Sequence, residues 1–425
     1  MAETTLEGSA NEAAGRSDWP WLVAAFWITS MVEGLGVSQF YAFLPEYLRQ
    51  LGAGDAERLT LVGIFGALPF LVGLPLVPLW GVWADLYSRK AVIARSAFVE
   101  AVVFAGLAIV RTPVQLAIPV LLVGFQLGNT GVMLAAIRDV TPRRRLGTVI
   151  AVFGAASAVG FAVGPLLGGW LIDTARVGIG GVYLLAAAFS VGTGLLVALG
   201  TREVRPAVVP AGRVVRLAFG AVRSVVSDSH VRGIFAIYAV SFLANWMSRP
   251  FLPVIVERLA GPGPGLASAI GVVLGAAALA GALVAPVGGW LGDRVGFRRV
   301  LVGAIGIVGV ALLLVPFAPG IATLALLSVA LAAGVAIAGS MVFGLLATEV
   351  PPERRSATLN LVYLPLYLAG IVGPGAAGGI SGAFGPQAPF FLGAAVALAT
   401  LAVLVLRAGR RGAGQAGSER SAGPT

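Results

Sequence analysis

Asp139-Val-Thr-Pro-Arg-Arg-Arg-Leu-Gly-Thr148 aligns without gaps to a second stretch 210 residues later, Glu349-Val-Pro-Pro-Glu-Arg-Arg-Ser-Ala-Thr358. Three further matches, each offset by 208 to 210 residues, are Pro45 with Pro253, Asp85 with Asp293, and Gly164-Pro165 with Gly373-Pro374. Self-similarity at a fixed period indicates repeated structural units. We therefore predict that the chain consists of two related halves.

The sequence on either side of these stretches is apolar over most of its length. Of the 425 residues, 58% are hydrophobic and only 11% are charged, whereas a soluble domain carries about 25% charged residues. Apolar runs of roughly 20 residues recur, each long enough to cross a bilayer as a helix. We predict an all-α membrane protein with twelve transmembrane helices in two pseudo-symmetric six-helix bundles. The predicted helices lie near 20–45, 59–80, 91–110, 114–137, 146–172, 179–200, 232–256, 266–290, 299–317, 320–347, 357–381 and 387–406.

The polar segments divide the chain into five parts. The prediction is a tail at 1–19, a first bundle at 20–200, a linker at 201–231, a second bundle at 232–406 and a disordered tail at 407–425. Within the linker, Arg213, Arg216 and Arg223 share one face of a possible helix, with Val, Leu and Phe opposite. This pattern fits an amphipathic helix lying on anionic lipid, and it equally fits a disordered basic linker.

The distribution of Arg and Lys predicts the orientation in the membrane. With the N-terminus inside, 23 basic residues lie in inward segments and 5 in outward loops, and Arg249 lies within a helix. Basic residues concentrate on the cytoplasmic side of membrane proteins. We therefore expect a multi-pass protein of the cell membrane with both termini in the cytoplasm, in a bacterial plasma or inner membrane. The N-terminus lacks the basic and apolar regions of a cleaved signal peptide.

Two loops at matching positions contain the same motif. Gly81-Val-Trp-Ala-Asp-Leu-Tyr-Ser-Arg-Lys90 follows the second helix, and Gly289-Trp-Leu-Gly-Asp-Arg-Val-Gly-Phe-Arg-Arg299 follows the eighth. Both resemble the G-x-x-x-D-R-x-G-R-R loop of the major facilitator superfamily. The resemblance implies alternating access between two conformations, with these loops as gates and with glycine allowing a tight, closely packed turn. The gating residues are then Gly81, Asp85, Arg89, Lys90, Arg138, Gly289, Asp293, Arg294 and Arg298.

The fifth predicted helix contains a run of glycines that supports the same resemblance. Gly160, Gly164, Pro165, Gly168 and Gly169 match the G-x-x-x-G-P-x-x-G-G motif of the family's twelve-helix drug:proton antiporters. The resemblance implies export in place of uptake. The fourth helix departs from the pattern, because those antiporters carry an arginine where this chain has Gly124. That difference leaves the usual route of proton coupling open.

Three charged residues lie within predicted helices: Glu33, Glu100 and Arg249. A charge at the centre of a bilayer costs about 2.5–3.5 kcal/mol, so such residues are candidates for function. In the family, helices 1, 4, 7 and 10 line the cavity and helices 3, 6, 9 and 12 lie outside, which favours Glu33 and Arg249 over Glu100. Arg249 would pair with Glu33 or attract an anionic group. The predicted cavity lining is Gln39, Tyr41, Gln126, Asn129, Asn245, Trp246, Asn360, Tyr363 and Tyr367.

These observations predict a secondary active transporter that exports lipophilic or cationic small molecules in exchange for protons, with Glu33 binding substrate and proton in competition. One alternative is a carrier of a lipid, sugar or anionic metabolite, and another is a membrane sensor or scaffold without transport. No cofactor, metal, catalytic residue or nucleic-acid partner is expected. The expected partners are the substrate, protons and the lipid bilayer, and the expected working unit is a monomer.

Overall fold

The computed structural model describes residues 18–206, 209, 211–227, 229–349 and 363–421, and no strand occurs among them. Twelve of its helices are long and apolar enough to cross a membrane, which confirms the predicted fold class. We number these spans α1 to α12. Their bounds are Trp19–Gln50, Asp55–Leu86, Arg89–Ile109, Pro113–Val140, Leu146–Asp173, Ile179–Gly200, Val231–Ala260, Leu266–Val295, Phe297–Phe317, Ile321–Leu346, Leu364–Phe384 and Ala388–Leu406.

The bundle has two ends, which we name by the chain segments they carry. The linker face is the end at which α1 begins and at which residues 201–230 connect the halves; the far face is the opposite end. A short helix, Val214–Ser227, lies in the linker and contacts α2. The last helix continues beyond α12 to Ser421, whereas the tail from 407 onward was expected to be disordered. Extension of an existing helix avoids the cost of nucleation, which offsets the low helix propensity of the four glycines in this segment.

Close helix packing near the far face joins the two halves. α2 packs on α11, and a methyl group added to Gly63 would collide with the backbone of Gly378. α5 packs on α8 in the same way, with Gly271 against the backbone of Pro165. Small residues let helix backbones approach this closely inside a membrane. The absence of side chains at these positions therefore lets the halves form a tight seal.

Polar contacts between the halves reinforce this seal. Arg58 of α2 donates two hydrogen bonds to Glu257 of α7, at 2.8 and 3.0 Å. Asp173 at the end of α5 accepts a hydrogen bond from the Ser268 amide in the first turn of α8, at 2.7 Å. The Glu257 side chain is only 13% exposed, so the pair is largely shielded from water. The far face is thus closed by ion pairs as well as by backbone packing.

Two spans are interrupted within the membrane. α4 consists of Ala117–Gln126 and Asn129–Val140, separated at Gly128, whose φ of 101° is strained for residues other than glycine. α7 changes to a single 3₁₀ turn at Arg249–Phe251, where Pro250 has no amide hydrogen to donate. Interrupted backbone at membrane depth is tolerated where it is buried in protein or lines a cavity. Both interruptions therefore mark places where function is expected.

Candidate substrate cavity and buried charges

A cavity of about 560 Å³ lies between the two halves. Its walls come from α1 and α5 of the first half and from α7, α8 and α10 of the second, with Phe390 contributed by α12. It extends from the far-face seal to Gly154 near the start of α5 and Phe343 near the end of α10. Since α5 starts and α10 ends at the linker face, the cavity extends toward that face. Pockets of 300–1,000 Å³ typically hold drug-sized molecules.

Three of the predicted residues line this cavity: Tyr41, Asn245 and Arg249. The Arg249 guanidinium carbon lies 4.7 Å from the ring centre of Phe161, 5.5 Å from that of Trp246 and 5.8 Å from that of Tyr41. Aromatic faces attract cations, more strongly where water is excluded. Arg249 also follows directly on the helical segment Ser229–Ser248, whose terminal carbonyls favour positive charge. These two features stabilise a guanidinium in an apolar cavity without an acidic partner.

Trp246 and Tyr367 are buried behind the cavity wall and pack at the contact between the halves. The Phe70 ring of α2 lies 4.7 Å from Trp246 and 5.7 Å from Tyr367, between ring centres. Asn360 lies outside the described residues, as does the side chain of Tyr363.

Glu33 lies in a second polar region, inside the first half. It accepts a hydrogen bond of 2.9 Å from the Asn129 side chain, in the first turn of the second α4 segment. Glu33 does not line the cavity, and no ion pair connects it with Arg249. The sequence therefore identified two charged residues that belong to separate sites.

The cation near Glu33 is Arg95 of α3, which is not among the candidate residues from the sequence. Its guanidinium carbon lies 3.7 Å from the ring centre of Trp80. Its NH2 group points at the carbonyl oxygens of Gln126 and Leu127, 3.5 and 3.4 Å away, and the Ser96 hydroxyl donates to Gln126 at 2.6 Å. The break in α4 frees these carbonyl groups, and α3 supplies donors for them. A glycine between polar residues in mid-span was the sequence signal for this break.

The same packing explains why α4 has no arginine at position 124. A side chain on Gly124 would collide with Val72, and the carbonyl oxygen of Pro69 would lie 2.9 Å from its first carbon. The close approach of α2 and α4 therefore requires glycine here. A positive charge near Glu33 comes instead from α3, through Arg95.

Glu100 of α3 does not line the cavity, yet it is not at the periphery of the bundle. Its side chain is buried at 2% exposure, and Oε1 lies 3.1 Å from where a side chain on Gly36 of α1 would begin. Gln126 and Ser190 lie nearby, and the carboxyl groups of Glu33 and Glu100 act on each other electrostatically. The family resemblance places α3 outside the cavity, and the structure adds that one face of this helix packs against α1.

The glycine motif of α5 faces two partners. Gly160, Gly164 and Gly168 pack on α1, and Gly169 packs on the backbone of Ala267 in α8. Gln39 of α1 donates to the Gly164 carbonyl oxygen at 3.2 Å, so its side chain serves helix packing. The motif thus packs α5 against α1 and against α8 of the second half, and the contact with α8 is part of the seal at the far face.

The first gating loop forms an ion network at the linker face. Arg89, nearly fully buried, donates to Asp85 at 2.9 Å and to Asp139 at 2.7 Å, and Arg138 donates to Asp139 at 3.1 Å. Glu203 accepts hydrogen bonds from the Ser88 hydroxyl and the Arg89 amide at the start of α3. Negative charge at a helix N-terminus is favourable. The network ties α2, α3 and α4 together.

Lys90 extends this network, because its Nζ donates a hydrogen bond to the carbonyl oxygen of Thr201 at 2.7 Å. The start of α3 is thereby fixed to the segment that follows α6.

The second gating loop is built differently. Phe297 occupies the position that matches Arg89, and its ring packs on Gly292 and Gly344. Asp293, Arg294 and Arg298 are exposed, and Arg294 stacks on Trp290 at 4.2 Å. Close packing was expected at Gly81 and Gly289, but no atom lies within 4 Å of where their side chains would begin. In this conformation, Gly292 makes the close contact instead.

Comparison with known proteins agrees with this architecture. The family model described as Major Facilitator Superfamily matches residues 26–263 and 234–424. A multidrug resistance protein, MdtG of Dickeya zeae, is 31% identical over 310 residues, covering 71% of this chain and 72% of that protein. The multi-drug resistance efflux pump PmrA of Streptococcus pneumoniae is 24% identical over 368 residues, covering 86% and 90%.

Solved structures show the same fold at low sequence identity. A bacterial homologue of the human lysosomal transporter Spinster, in an inward-facing and unoccupied conformation, has a TM-score of 0.69 at 16% identity, covering 92% of this chain and 95% of that one. The nucleoside transporter NupG has a TM-score of 0.71 at 16% identity, covering 91% and 99%. With twelve spans in two halves and a family match along nearly its whole length, this multi-pass membrane protein belongs to the Major Facilitator Superfamily.

Proposed function

We propose that this protein exports lipophilic small molecules across the cell membrane in exchange for protons. The observation that carries the proposal is the apolar cavity between the halves, sealed at one face, next to a separate buried site with two carboxyl groups. The relatives named for multidrug resistance and efflux support export. Both sites lie within one copy of the chain, which supports a monomer as the working unit.

In this proposal the linker face is cytoplasmic, as the 23 to 5 distribution of basic residues favours. The conformation described here then opens its cavity to the cytoplasm and closes it to the outside. A substrate enters from the linker face or the inner leaflet. The far-face contacts, including the Arg58–Glu257 pair, must separate before the substrate leaves.

Glu33 is the proton carrier in this mechanism. As a carboxylate, it is held by the Asn129 side chain and attracted by Arg95. Protonation removes the charge, so both interactions weaken and α1 is released from the broken α4. Ser38 and Tyr41 of the same helix line the cavity. Proton binding therefore reaches the substrate through movement of α1, without competition at one carboxylate, which replaces the competitive scheme predicted from the sequence.

The test is substrate uptake into inside-out membrane vesicles, with and without an acidic lumen. An outward-directed proton flow from the lumen should drive uptake of a lipophilic dye in the wild type. Glu33→Gln should lose this dependence on the gradient, because the amide cannot exchange a proton. Glu46→Gln, on the same helix near the far face, is the matched control. Retained gradient dependence in Glu33→Gln would rule out Glu33 as the carrier.

A further inference from the structure

The central cavity contains an unusual distribution of charge. Arg249 is the only charged residue that lines it, and no Asp or Glu appears among the described lining residues. Most of the wall is apolar or aromatic, including Phe161, Phe242, Phe343 and Phe390. A cation entering this space would meet a fixed positive charge, with no carboxylate among the described lining residues to compensate it. An anion would meet a positive charge that none of these described residues neutralises.

The Arg249 guanidinium also has hydrogen-bonding capacity to spare. Its recorded contacts within the described part of the chain are with the ring faces of Tyr41, Phe161 and Trp246, and no hydrogen bond or ion pair there involves it. Stacking on rings leaves the N–H groups at the edge of the guanidinium plane available. An arginine has five such donors, arranged to bind two oxygens of a carboxylate or sulfonate at once.

Four of the eight polar side chains that line the cavity besides Arg249 are already engaged within the protein, which leaves few groups to pair with a sugar. Four lining serines use their hydroxyl hydrogens on helix carbonyls: Ser38 on Leu35, Ser248 on Ala244, Ser328 on Leu324 and Ser340 on Ala336. A polyol needs many matched donors and acceptors, since each buried group left unpaired costs free energy. A ligand with one anionic group and an apolar body fits this lining better.

We infer that the substrates are lipophilic organic anions, with a carboxylate or sulfonate against Arg249 and an apolar body among the rings. This inference rests on the proposed export function and names its substrate class. It reverses the cationic preference predicted from the sequence. Arg249 is then the residue that determines charge specificity, while Glu33 in its separate site carries the proton.

Transport of matched probes tests the charge preference. The probes are 8-anilinonaphthalene-1-sulfonate, its uncharged parent N-phenyl-1-naphthylamine, and the cation tetraphenylphosphonium, each followed in inside-out vesicles with an acidic lumen. Arg249→Gln should lower the ratio of sulfonate uptake to uptake of the uncharged parent at least tenfold. Arg249→Lys should retain part of the sulfonate uptake, because it keeps the charge and loses the paired donors. Arg258→Gln, an exposed position on the same helix, is the control.

Binding to the purified protein separates this inference from the proposed function. Equilibrium dialysis measures sulfonate binding without a gradient, so it does not depend on proton coupling. Sulfonate binding that is lost in Arg249→Gln supports the inference even where no gradient-driven uptake occurs, an outcome that would contradict only the proposed function. Equal sulfonate binding in wild type and Arg249→Gln, or preferred transport of the phosphonium cation, would overturn the inference and leave proton-coupled export standing.

Discussion

The Arg58–Glu257 pair should control how often the far face opens. It is the shortest ion pair recorded between the two halves, at 2.8 Å, and both side chains are largely buried, at 9% and 13% exposure. Two weaker contacts flank it, Arg49 with Glu257 at 3.7 Å and Arg58 with Asp55 at 3.5 Å. In Glu257→Gln the attraction between Arg58 and the carboxylate of residue 257 is lost, so the closed state of the far face should become less favourable.

The size of this effect follows from the geometry. Opposite charges about 4 Å apart attract by about 4 kcal/mol at an effective dielectric constant of 20. The desolvation of both groups offsets part of this attraction, and we take the net loss in Glu257→Gln as about 2 kcal/mol. Since 1.4 kcal/mol corresponds to a factor of ten, the equilibrium between closed and open should shift about 30-fold toward open.

The chain has no cysteine, so a single introduced thiol can report the opening without background. Ala267 is buried where α8 meets Gly169 of α5. A membrane-impermeant maleimide added at the far face should label Ala267→Cys slowly in the otherwise native protein. With Glu257→Gln the labelling rate should rise about 30-fold, provided that opening and closing are fast relative to the reaction of the thiol with the maleimide.

Two variants decide whether the ion pair is responsible. Glu46→Gln removes an acidic group on the same face whose closest partner, Arg49, lies within its own helix, so its labelling rate should stay near that of the parent. Exchange of the charges in Arg58→Glu with Glu257→Arg should restore part of the protection, because Asp55 and Arg49 would then each face a like charge. An unchanged rate in Glu257→Gln, or an equal rise in Glu46→Gln, would refute the reasoning.

Three further predictions concern packing and charge within the first half. Arg89→Ala leaves Asp85 and Asp139 near each other without their shared cation, and should lower stability by about 3 kcal/mol; thermal unfolding in detergent should show a clear fall in Tm, and no fall would contradict the network's role. Gly164→Val should lower the free energy of unfolding by about 1–3 kcal/mol, because the larger side chain overpacks against Ser38 and Leu35. Gly147→Val in the same helix meets no neighbouring atoms, so its Tm should be nearly unchanged. Gly124→Arg, which supplies the arginine of the related antiporters, should reduce the yield of folded protein in size-exclusion chromatography, whereas a well-folded product would show that α2 and α4 can separate.

The sequence was sufficient to predict the spans and the repeat because both depend on local composition. A run of about 20 apolar residues must cross the bilayer, whatever its neighbours are. Each predicted helix overlaps an observed span, and the differences lie at the ends, where α1 continues to Gln50 and α2 begins at Asp55, and at the breaks within α4 and α7. The additional helical turns at these two ends contain Arg49 and Arg58, and both side chains contact Glu257.

The position of Glu100 could not be predicted, because it depends on the rotation of α3 about its own axis. Periodicity gives little guidance in a membrane helix, since lipid and protein neighbours are both apolar. Arg95 lies near Glu33 for a related reason: the break at Gly128 creates free carbonyl groups, and only the packed structure shows that α3 supplies their donors. The sequence shows that Gly124 departs from the antiporter pattern. The reason for glycine at this position is its close contact with Val72 of α2, which only the folded structure shows.

The repeat itself explains why the two sites differ. Tyr41 and Arg249 are equivalent positions, offset by 208 residues, and they meet at the cavity with 5.8 Å between guanidinium carbon and ring centre. Residues near a pseudo-twofold axis approach their own counterparts, so one substitution there places a cation in a shared space. The counterpart of Glu33 is Ser241, whose hydroxyl donates to the Ile237 carbonyl oxygen. The first half therefore supplies the carboxyl group and the second half supplies the cation. In the proposed function, this difference between the halves lets the proton and the substrate bind at separate sites.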